Sequence, residues 1–363
     1  MAHVYDVLIL GGGPAGLAMA TTLARQAYSA LVIDSGAYRN ARAAHMHNVP
    51  GFDHVPPADF RAKVRADLEA RYRSVAFQDD TTIVEVRRRD GADVADATAA
   101  PPGTGDGDGT EQVVPNATEA SAGTLADARF EARDMRGNVY YGRKLGLATG
   151  VRDKLEEQVE GYGDCWGRGI FHCLFCDGFE ERGASSVGVL GVGLLSSADA
   201  LAHVSLLAKR LAAHATIYTD GDAGLAAALR PSRLSGGKVT VETRRVARLA
   251  LRDWPASSAV VVTLADGTTR EEGFVASHPA LALAAPGLAR QLGLETRDDE
   301  AGGPGPLVAV RASTGETSVA GCFAAGDAVV AVKSVVQALQ TGQMAGAGMA
   351  MQLMQELEAR DEL

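Results

Sequence analysis

Cysteine is scarce in this sequence, with four residues in a chain of 363, and only Cys173 and Cys176 lie close together. A structural zinc site commonly needs a second Cys-x-x-Cys pair, which is missing. His172 directly precedes Cys173, and metal sites do not favour that spacing. Cys165 and Cys322 stand alone near apolar residues or glycine, where a free cysteine usually serves as a small core residue. The pair therefore indicates a redox function, and we predict no metal there.

Long apolar runs and basic clusters are also missing. No stretch of about 18 apolar residues occurs, so we expect no membrane span. The net charge is −10, with 35 Lys and Arg against 45 Asp and Glu, and no basic cluster offsets it. This balance disfavours nucleic acid and anionic membranes as partners.

The ends of the sequence bear on the cellular compartment. The first apolar strand, YDVLIL, begins at Tyr5 and leaves no room ahead of it for a signal peptide, so we expect a cytoplasmic protein. Residues 360–363 read Arg-Asp-Glu-Leu and are close to an endoplasmic-reticulum retrieval signal. An ER-lumen location stays open as an alternative, in which Asn116 would be a glycosylation acceptor. We interpret the tail as a charged helix end.

A glycine loop near the N-terminus lies between an apolar strand and a helix of small residues. Gly11, Gly13 and Gly16 fill the G-x-G-x-x-G frame, in which glycine allows a tight turn, close approach to a pyrophosphate and helix–strand packing. Asp34 closes the next apolar strand about 20 residues on, where a carboxylate accepts hydrogen bonds from ribose. The sequence therefore predicts a dinucleotide-binding βαβ unit.

A second glycine motif lies near the C-terminus. A short apolar strand ends at Gly326 and Asp327 and is followed by a Gly/Ala-rich helix. This arrangement resembles the second FAD motif of the two-domain flavoprotein disulfide reductases. The resemblance implies that Asp327 binds the ribityl or pyrophosphate region, and that the N-terminus of the helix favours negative charge on the flavin.

Two further segments resemble the same family. GLATG at 146–150 is similar to the exit strand of the FAD domain, and HNVPGF at 47–52 places Asn48 where the family has a flavin contact. The resemblance therefore implies FAD as cofactor, held by Gly11, Gly13, Pro14, Ala15, Gly16, Asp34, Ser35, Asn48, Thr149, Gly150, Gly326, Asp327, Gln337 and Ala338.

The middle of the chain separates into distinct parts. Residues 92–128 are rich in Gly, Pro, Ala, Thr and Asp and have no apolar periodicity, so they cannot bury enough surface to offset their ordering entropy. We predict a flexible surface insertion there, within a β-meander. A second strand–helix alternation begins near residue 185 and resembles another dinucleotide-type unit.

The whole chain resembles a low-molecular-weight thioredoxin reductase. This resemblance implies an α/β fold with two Rossmann-like three-layer domains. The FAD domain would comprise residues 1–152 and 281–363, and residues 153–280 would form an inserted NAD(P)-like domain that carries the Cys-x-x-Cys.

The resemblance also assigns roles to the cysteine pair. In the family the pair stands at the start of a helix, whose N-terminus lowers a thiol pKa. Cys176 would be the thiol on the flavin side, and Cys173 the outward thiol that attacks the substrate. Asp177 would be the acid/base that moves the proton.

The second glycine loop, at 191–196, keeps the glycine frame, but the basic residues that usually bind the 2′-phosphate of NADPH are missing. Asp220 and Asp222 stand where arginines normally hold the 2′-phosphate of NADPH, and two carboxylates would repel it. Arg230 and Arg233 are more simply interpreted as solvated surface. NADPH is therefore disfavoured, whereas NADH stays open because Asp220 could accept a bond from a ribose 2′-hydroxyl.

One branch of the family also works without NADPH. The dithiol oxidases that close the disulfides of gliotoxin and holomycin are similar to thioredoxin reductase but pass electrons from FAD to oxygen without a nicotinamide. Their signature resembles HMHNVPG and FHCLFCDGFE here, including Glu180. That branch usually has histidine where this chain has Asp177. His45, His172 and His278 are candidate substitutes for the missing base, each with core or surface histidine as the alternative interpretation.

The sequence thus predicts a homodimeric FAD enzyme that oxidises a small-molecule, secondary-metabolite dithiol to a disulfide, with O2 as acceptor and H2O2 as product. The nearest alternative is an NAD(P)H-dependent thioredoxin reductase acting on a protein. A flavin-binding regulatory module without turnover is the alternative from another class, although such a module would have no need of the cysteine pair.

Overall fold

The computed structural model describes residues 3–89, 124–229, 238–297, 305–311 and 313–362. Its strands are β1 (Val4–Leu10), β2 (Ala30–Ile33), β3 (Val75–Gln78), β4 (Ile83–Arg88), β5 (Phe130–Asp134), β6 (Val139–Leu147), β7 (Val151–Asp153), β8 (Ile170–Phe171), β9 (Val187–Gly193), β10 (Ala215–Tyr218), β11 (Val239–Glu242), β12 (Val246–Leu251), β13 (Val260–Leu264), β14 (Thr269–Glu272), β15 (Phe274–His278), β16 (Leu281–Leu283), β17 (Thr296–Arg297), β18 (Leu307–Val308) and β19 (Cys322–Ala324). Its helices are α1 (Pro14–Ala24), α2 (Pro57–Arg71), α3 (Tyr162–Cys165), α4 (Ala198–Ala208), α5 (Ala223–Ala228), α6 (Pro286–Gln291) and α7 (Val335–Glu358).

The first sheet has seven strands in the order β3-β2-β1-β6-β5-β4, with β19 pairing β6. β1 runs parallel to β2 in a register that sets Val7 opposite Ala30, whereas β4, β5 and β6 are antiparallel neighbours. Leu8 and Leu10 of β1 enter one core cluster and Val7 and Ile9 another. Because both faces of β1 are buried, its sequence is apolar almost throughout.

Helices α1 and α7 pack on one face of this sheet and against each other. α1 begins at Pro14, a position where proline costs no helical hydrogen bond. The two backbones approach closely because α7 has glycine at the crossing. A Cβ on Gly342 would lie 2.3 Å from the Ala15 carbonyl oxygen, and one on Gly346 would lie 2.8 Å from the Thr22 Cβ.

The second sheet has five parallel strands in the order β11-β10-β9-β15-β8. Helix α4 packs on one face, where Leu201 lies against Val187 and Val189. The three-stranded antiparallel sheet β12-β13-β14 covers the other face, with Leu249 and Val262 in that core. The predicted α/β fold with two layered dinucleotide-type units is confirmed.

A two-stranded ribbon connects the two sheets. β7 leads out of the first sheet, β16 leads back, and the two strands pair antiparallel with Asp153 opposite Leu281. The predicted domain limits, at 152/153 and 280/281, fall within this ribbon, and we keep that division as a proposal.

Several sequence predictions lie wholly or partly outside the described residues. They concern Asn116, Arg230, Arg233, the last residue of the C-terminal tetrapeptide, and most of the predicted insertion. Residues 124–128 of that insertion are described, and there the Thr124 N–H donates to Asp127 at 2.9 Å. Within the described ranges, no helix is long and apolar enough to cross a membrane.

The α1–α7 crossing predicts that Gly342→Ala lowers stability. The added methyl should stabilise the helix by about 1 kcal/mol through its propensity, whereas the clash with the Ala15 carbonyl should cost about 1–3 kcal/mol. We expect the clash to dominate, so the free energy of unfolding falls. Gly287→Ala in α6 is the matched control, because a Cβ there meets nothing within 4 Å among the described residues. Thermal unfolding of both variants checks this. A Gly342→Ala melting temperature at or above that of wild type would contradict the close packing.

Candidate active site

The first glycine loop joins β1 to α1 and leaves an open space in front of it. Gly11 has φ +113°, and a Cβ there would lie 2.5 Å from the Ala148 carbonyl oxygen. Gly16 is equally restricted, since its Cβ would lie 1.9 Å from the Gly11 carbonyl oxygen. Gly13 differs, because a Cβ on it would meet no described atom within 4 Å. The loop is therefore closed towards the protein and open on the side where a pyrophosphate would approach.

Asp34 lies at the end of β2, beside this loop, and is 9% exposed. The Gly36 N–H donates to its carboxylate at 3.2 Å, and the Tyr38 hydroxyl donates to the other oxygen. Burial and the Asp34 hydrogen bond raise the pKa of Tyr38 to about 12, so this hydroxyl keeps its proton. Ser35 follows on the exposed side. A bound ribose would share the Asp34 carboxylate with Tyr38, a neighbour that the sequence prediction missed.

The C-terminal motif lies next to the first glycine loop, and we call the open space in front of that loop the groove. Gly326 has φ +76°, and its N–H donates to the Thr341 hydroxyl at 2.9 Å. A Cβ on Gly326 would lie 2.9 Å from the Cβ of Ala15, which places the motif beside the first glycine loop. Gln337 and Ala338 form the first turn of α7, where Ser334 caps the Gln337 N–H at 3.1 Å.

Arg39 fixes the acid of that motif and was also missed from the sequence. Its guanidinium contacts both oxygens of Asp153, at 2.8 and 3.0 Å, and one oxygen of Asp327 at 3.2 Å. The structure therefore brings Asp327 into an ion-pair network with the start of the ribbon. Thr149 and Gly150 lie at the end of β6, where the Thr149 N–H is 3.3 Å from the position of a Gly11 Cβ.

Asn48 belongs to a different segment, the hairpin loop of residues 46–55. It is exposed, adopts φ +60°, and its N–H donates to Asp53 at 2.9 Å. The Met46 N–H donates to the Val55 carbonyl oxygen at 2.7 Å and closes the loop. The same loop carries His47, which makes the contact with the cysteine pair that is described below.

Cys173 and Cys176 form a disulfide within a series of turns. The N–H groups of Cys176 and Asp177 both donate to the Cys173 carbonyl oxygen, at 3.0 and 3.1 Å. Residues 174–183 continue as turns, so the expected helix beginning at the pair is wrong. The lowering of a thiol pKa by a helix N-terminus is therefore not available here.

The sequence around the pair explains why no helix forms. Gly178 and Gly183 would each weaken a helix by about 1 kcal/mol relative to alanine. Phe175 and Phe179, four residues apart, would share one helical face, yet they are 70% and 64% exposed. A short helix with no buried apolar face is not stable on its own. Instead, the turn that carries the disulfide exposes two aromatic rings.

Asp177 lies next to the disulfide in a partly buried position. Its pKa is raised to about 6, mainly by burial; the neighbouring His47 opposes this shift, and nearby Glu180 and Glu181 contribute to it. A carboxyl group with this pKa can both accept and release a proton near neutral pH. The predicted acid/base role of Asp177 is therefore chemically reasonable in this environment, and it stays a prediction.

His47 is the histidine that meets the cysteine pair. Its Nδ1 lies 2.5 Å from the Cys176 carbonyl oxygen, and its Nε2 lies 3.0 Å from His54 and 3.4 Å from Glu180. His45 stacks on His54 with ring centroids 4.0 Å apart. The sequence contains a signal for this histidine cluster, the spacing His-x-His at 45 and 47. Alternate residues of an extended segment point to the same side, so this spacing predicts that the two side chains lie near each other.

The other two candidate bases lie in a packed row of rings. His172 stands between Trp166 and His278, with centroid distances of 5.4 Å to each. Burial, followed by the positive charge of Arg39, lowers the pKa of His172 well below its usual range, and the same two causes lower that of His278. Both imidazoles are therefore neutral and weak as bases near neutral pH. Of the histidines, His47 has the direct contact with the disulfide turn.

Cys165 and Cys322 are buried free thiols, as core cysteines would be. Burial raises the pKa of Cys165 to about 11 and that of Cys322 to about 12. Neither thiol is a reactive nucleophile in this state.

The second glycine loop borders a cavity of about 480 Å³, which is lined in part by Gly193, Asp220 and Arg245. The Asp220 carboxylate accepts a main-chain N–H of β12 at 2.7 Å, and Asp222 caps α5 by accepting another at 2.8 Å. Both acids therefore have structural hydrogen bonds. Arg245, which follows β11, also lines this cavity and is basic. The sequence prediction did not consider it.

These features together define a disulfide oxidoreductase with two dinucleotide-binding units and a redox-type cysteine pair. The chain belongs to the pyridine nucleotide-disulphide oxidoreductase family, whose model matches residues 5–342. The resemblance to thioredoxin reductase-like proteins that the sequence indicated is therefore confirmed.

Relatives of known sequence or structure agree over almost the full length. "Thioredoxin reductase aclD" of Aspergillus oryzae is 38% identical over 353 residues, which is 97% of each chain. "Thioredoxin reductase tcpT" of Claviceps purpurea is 34% identical and covers 100% of this chain and 98% of its own. The solved structure "Crystal structure of HlmI" has a TM-score of 0.76 at 25% identity, covering 99% of this chain and 96% of that one.

The family implies FAD as cofactor, and the groove fits it. Gly13 and Gly150 both leave open space where a side chain would stand, and Asp34 and Asp327 supply carboxylates from the two glycine motifs. Those four residues, the first turn of α7 and Thr149 would hold the cofactor.

The groove predicts that Gly13→Leu empties the cofactor site without unfolding the chain. Gly13 has φ −74° and free space around it, so the side chain is tolerated by the protein but stands where the pyrophosphate would approach. Gly13→Ala should lose less FAD than Gly13→Leu. Measuring bound flavin and far-UV circular dichroism in parallel checks this. Full FAD content in Gly13→Leu would show that the cofactor does not approach this loop.

Proposed function

We propose that this protein is an FAD-dependent dithiol oxidase that forms a disulfide in a small-molecule, secondary-metabolite dithiol. The balanced reaction is dithiol plus O2 giving cyclic disulfide plus H2O2. The observation that supports it best is the Cys173–Cys176 disulfide, which lies on a turn that carries two exposed aromatic rings and beside Asp177 and His47.

The chain's own residues carry the thiol chemistry. A substrate thiolate attacks Cys173, the Cys173–Cys176 bond breaks, and its electron pair leaves on Cys176. The second substrate thiolate then attacks the mixed disulfide and releases Cys173 and the product. Asp177, with its raised pKa, accepts a proton from an attacking thiol, and the His47 contact with the Cys176 carbonyl positions the turn. FAD, when bound, supplies the two-electron chemistry that connects the reduced cysteine pair to oxygen.

Phe175 and Phe179 support a small apolar substrate. They are exposed on the disulfide turn, and the Arg182 guanidinium lies over the Phe179 ring at 3.9 Å. A flat, partly apolar dithiol could pack on these rings while its sulfurs reach Cys173. The exposed rings also leave room for a larger partner, which the alternative below would need.

The alternative is an NAD(P)H-dependent disulfide reductase of the thioredoxin reductase type. The cavity beside Gly193 favours it, since Arg245 offers a positive charge there. Asp220 and Asp222 argue against NADPH, because the family resemblance puts both carboxylates where basic residues would hold the 2′-phosphate. NADH stays compatible with Asp220. A flavin-binding module without turnover is the third candidate, and the paired cysteines argue against it.

We also propose a cytoplasmic homodimer that binds neither nucleic acid nor membrane. The outer face of α7 supports a dimer, because several apolar side chains lie exposed along one stripe of that helix. They are Val336, Met344, Met351 and Met354.

The raised pKa of Asp177 predicts an acid limb in the pH profile. As a base, Asp177 must be ionised, so kcat/KM for a small dithiol should fall as the pH drops below about 6. Asp177→Asn should remove the limb and lower the rate about 10²–10⁴-fold. Glu181→Gln removes a negative charge that raises the Asp177 pKa and should move the limb to lower pH. Asp59→Asn, an exposed acid of α2, should leave it in place. An unchanged limb in Asp177→Asn would assign the titration to another group.

Oxygen uptake and anaerobic reduction together test the proposed reaction. Purified flavoprotein should consume one O2 per small dithiol and produce H2O2, and the dithiol should reduce the flavin under anaerobic conditions much faster than micromolar NADPH does. Cys165→Ala, which changes a buried cysteine outside the pair, should behave as wild type. Rapid reduction by NADPH without dithiol-dependent oxygen uptake would favour the reductase instead.

A further inference from the structure

His47, His54 and Glu180 bring three possible metal ligands together beside the disulfide turn. The ligand atoms of these side chains all lie within 4.8 Å of one another. His47 Nε2 is 3.0 Å from His54 Nδ1 and 3.4 Å from the nearer Glu180 oxygen. In a tetrahedral zinc site with Zn–N bonds of about 2.0 Å, ligand atoms lie roughly 3.3 Å apart. The observed spacing already suits such a site.

The hydrogen bonding of His47 leaves the correct nitrogen for a metal. Its Nδ1 lies 2.5 Å from the Cys176 carbonyl oxygen, and only an N–H at that position can donate to a carbonyl. Nε2 of the neutral ring is then unprotonated and points towards His54 and Glu180. Metal-binding histidines commonly have such a main-chain carbonyl partner on the other nitrogen, because it fixes the tautomer and the ring orientation.

The loop of residues 46–55 holds the second histidine in an unusual conformation. His54 adopts φ +58°, and its N–H donates to the Met46 carbonyl oxygen at 2.8 Å. A residue other than glycine in this left-handed region is uncommon, and such residues cluster at functional sites. His45 stacks on the His54 ring, with ring centroids 4.0 Å apart.

We propose that His47, His54 and Glu180 bind a divalent transition-metal ion of the zinc class, with the fourth position open. Two imidazoles and one carboxylate suit zinc or cobalt, whereas calcium and magnesium prefer oxygen ligands. Bound metal would connect the 46–55 loop to Glu180 of the disulfide turn. The site uses neither cysteine, although His47 also contacts the disulfide turn.

Calorimetric titration of the holoenzyme with Zn2+, with the cysteine pair kept oxidised, tests the proposal. Wild type should bind one Zn2+ per chain, confirmed by metal analysis after dialysis. His54→Asn should weaken binding at least 10-fold, since a ligand is lost, and asparagine tolerates the left-handed backbone at this position. Glu180→Gln should weaken binding similarly. His203→Gln, which changes an exposed histidine of α4, should bind as wild type does.

The double variant Cys173→Ser/Cys176→Ser separates this site from zinc binding by thiols. It should retain the wild-type affinity. Loss of binding in that variant would make the cysteines the ligands and overturn the proposal. Equal affinity of His54→Asn and wild type would overturn it as well, and so would a wild type that binds no zinc.

Discussion

The contact between the His47 ring and the Cys176 carbonyl oxygen joins the two halves of the candidate site. His47 belongs to the loop that follows β2 of the first sheet, whereas Cys176 lies next to the second sheet, 129 residues away in sequence. Through this contact, the loop that carries the predicted flavin contact Asn48 also orients the redox turn. The turn is also anchored to the second unit, where the Gly183 N–H donates to the Leu211 carbonyl oxygen at 2.7 Å and the Ser258 hydroxyl donates to Glu181 at 2.7 Å.

Arg39 provides a second connection between the same regions. It pairs with Asp153 in the connecting ribbon and with Asp327 in the C-terminal flavin motif. All three side chains are largely buried, so removing Arg39 would leave two carboxylates without their shared cation. The position of the flavin-motif carboxylate is therefore tied to the position of the ribbon that leads to the disulfide unit.

The sequence predicted the elements whose signals are local. The strand, glycine loop and helix around Gly11, and the strand and helix around Gly326, form as expected because apolar periodicity and glycine positions specify them. His47 and Arg39 were missed because their roles depend on contacts across more than 100 residues. The helix expected at the cysteine pair does not form, and the reason is local. Gly178 weakens a helix, and the side chains of Phe175 and Phe179 are exposed rather than buried. The expectation from the family resemblance did not take these residues into account.

The absorption spectrum of Cys173→Ser tests most directly the claim that the disulfide is the redox partner of the flavin. A lone Cys176 thiolate beside oxidised flavin should give a long-wavelength band. Cys176→Ser should lack this band, and both variants should retain FAD because neither thiol holds the cofactor. A Cys173→Ser protein that binds FAD, shows no band at any pH and oxidises dithiols at the wild-type rate would contradict the account.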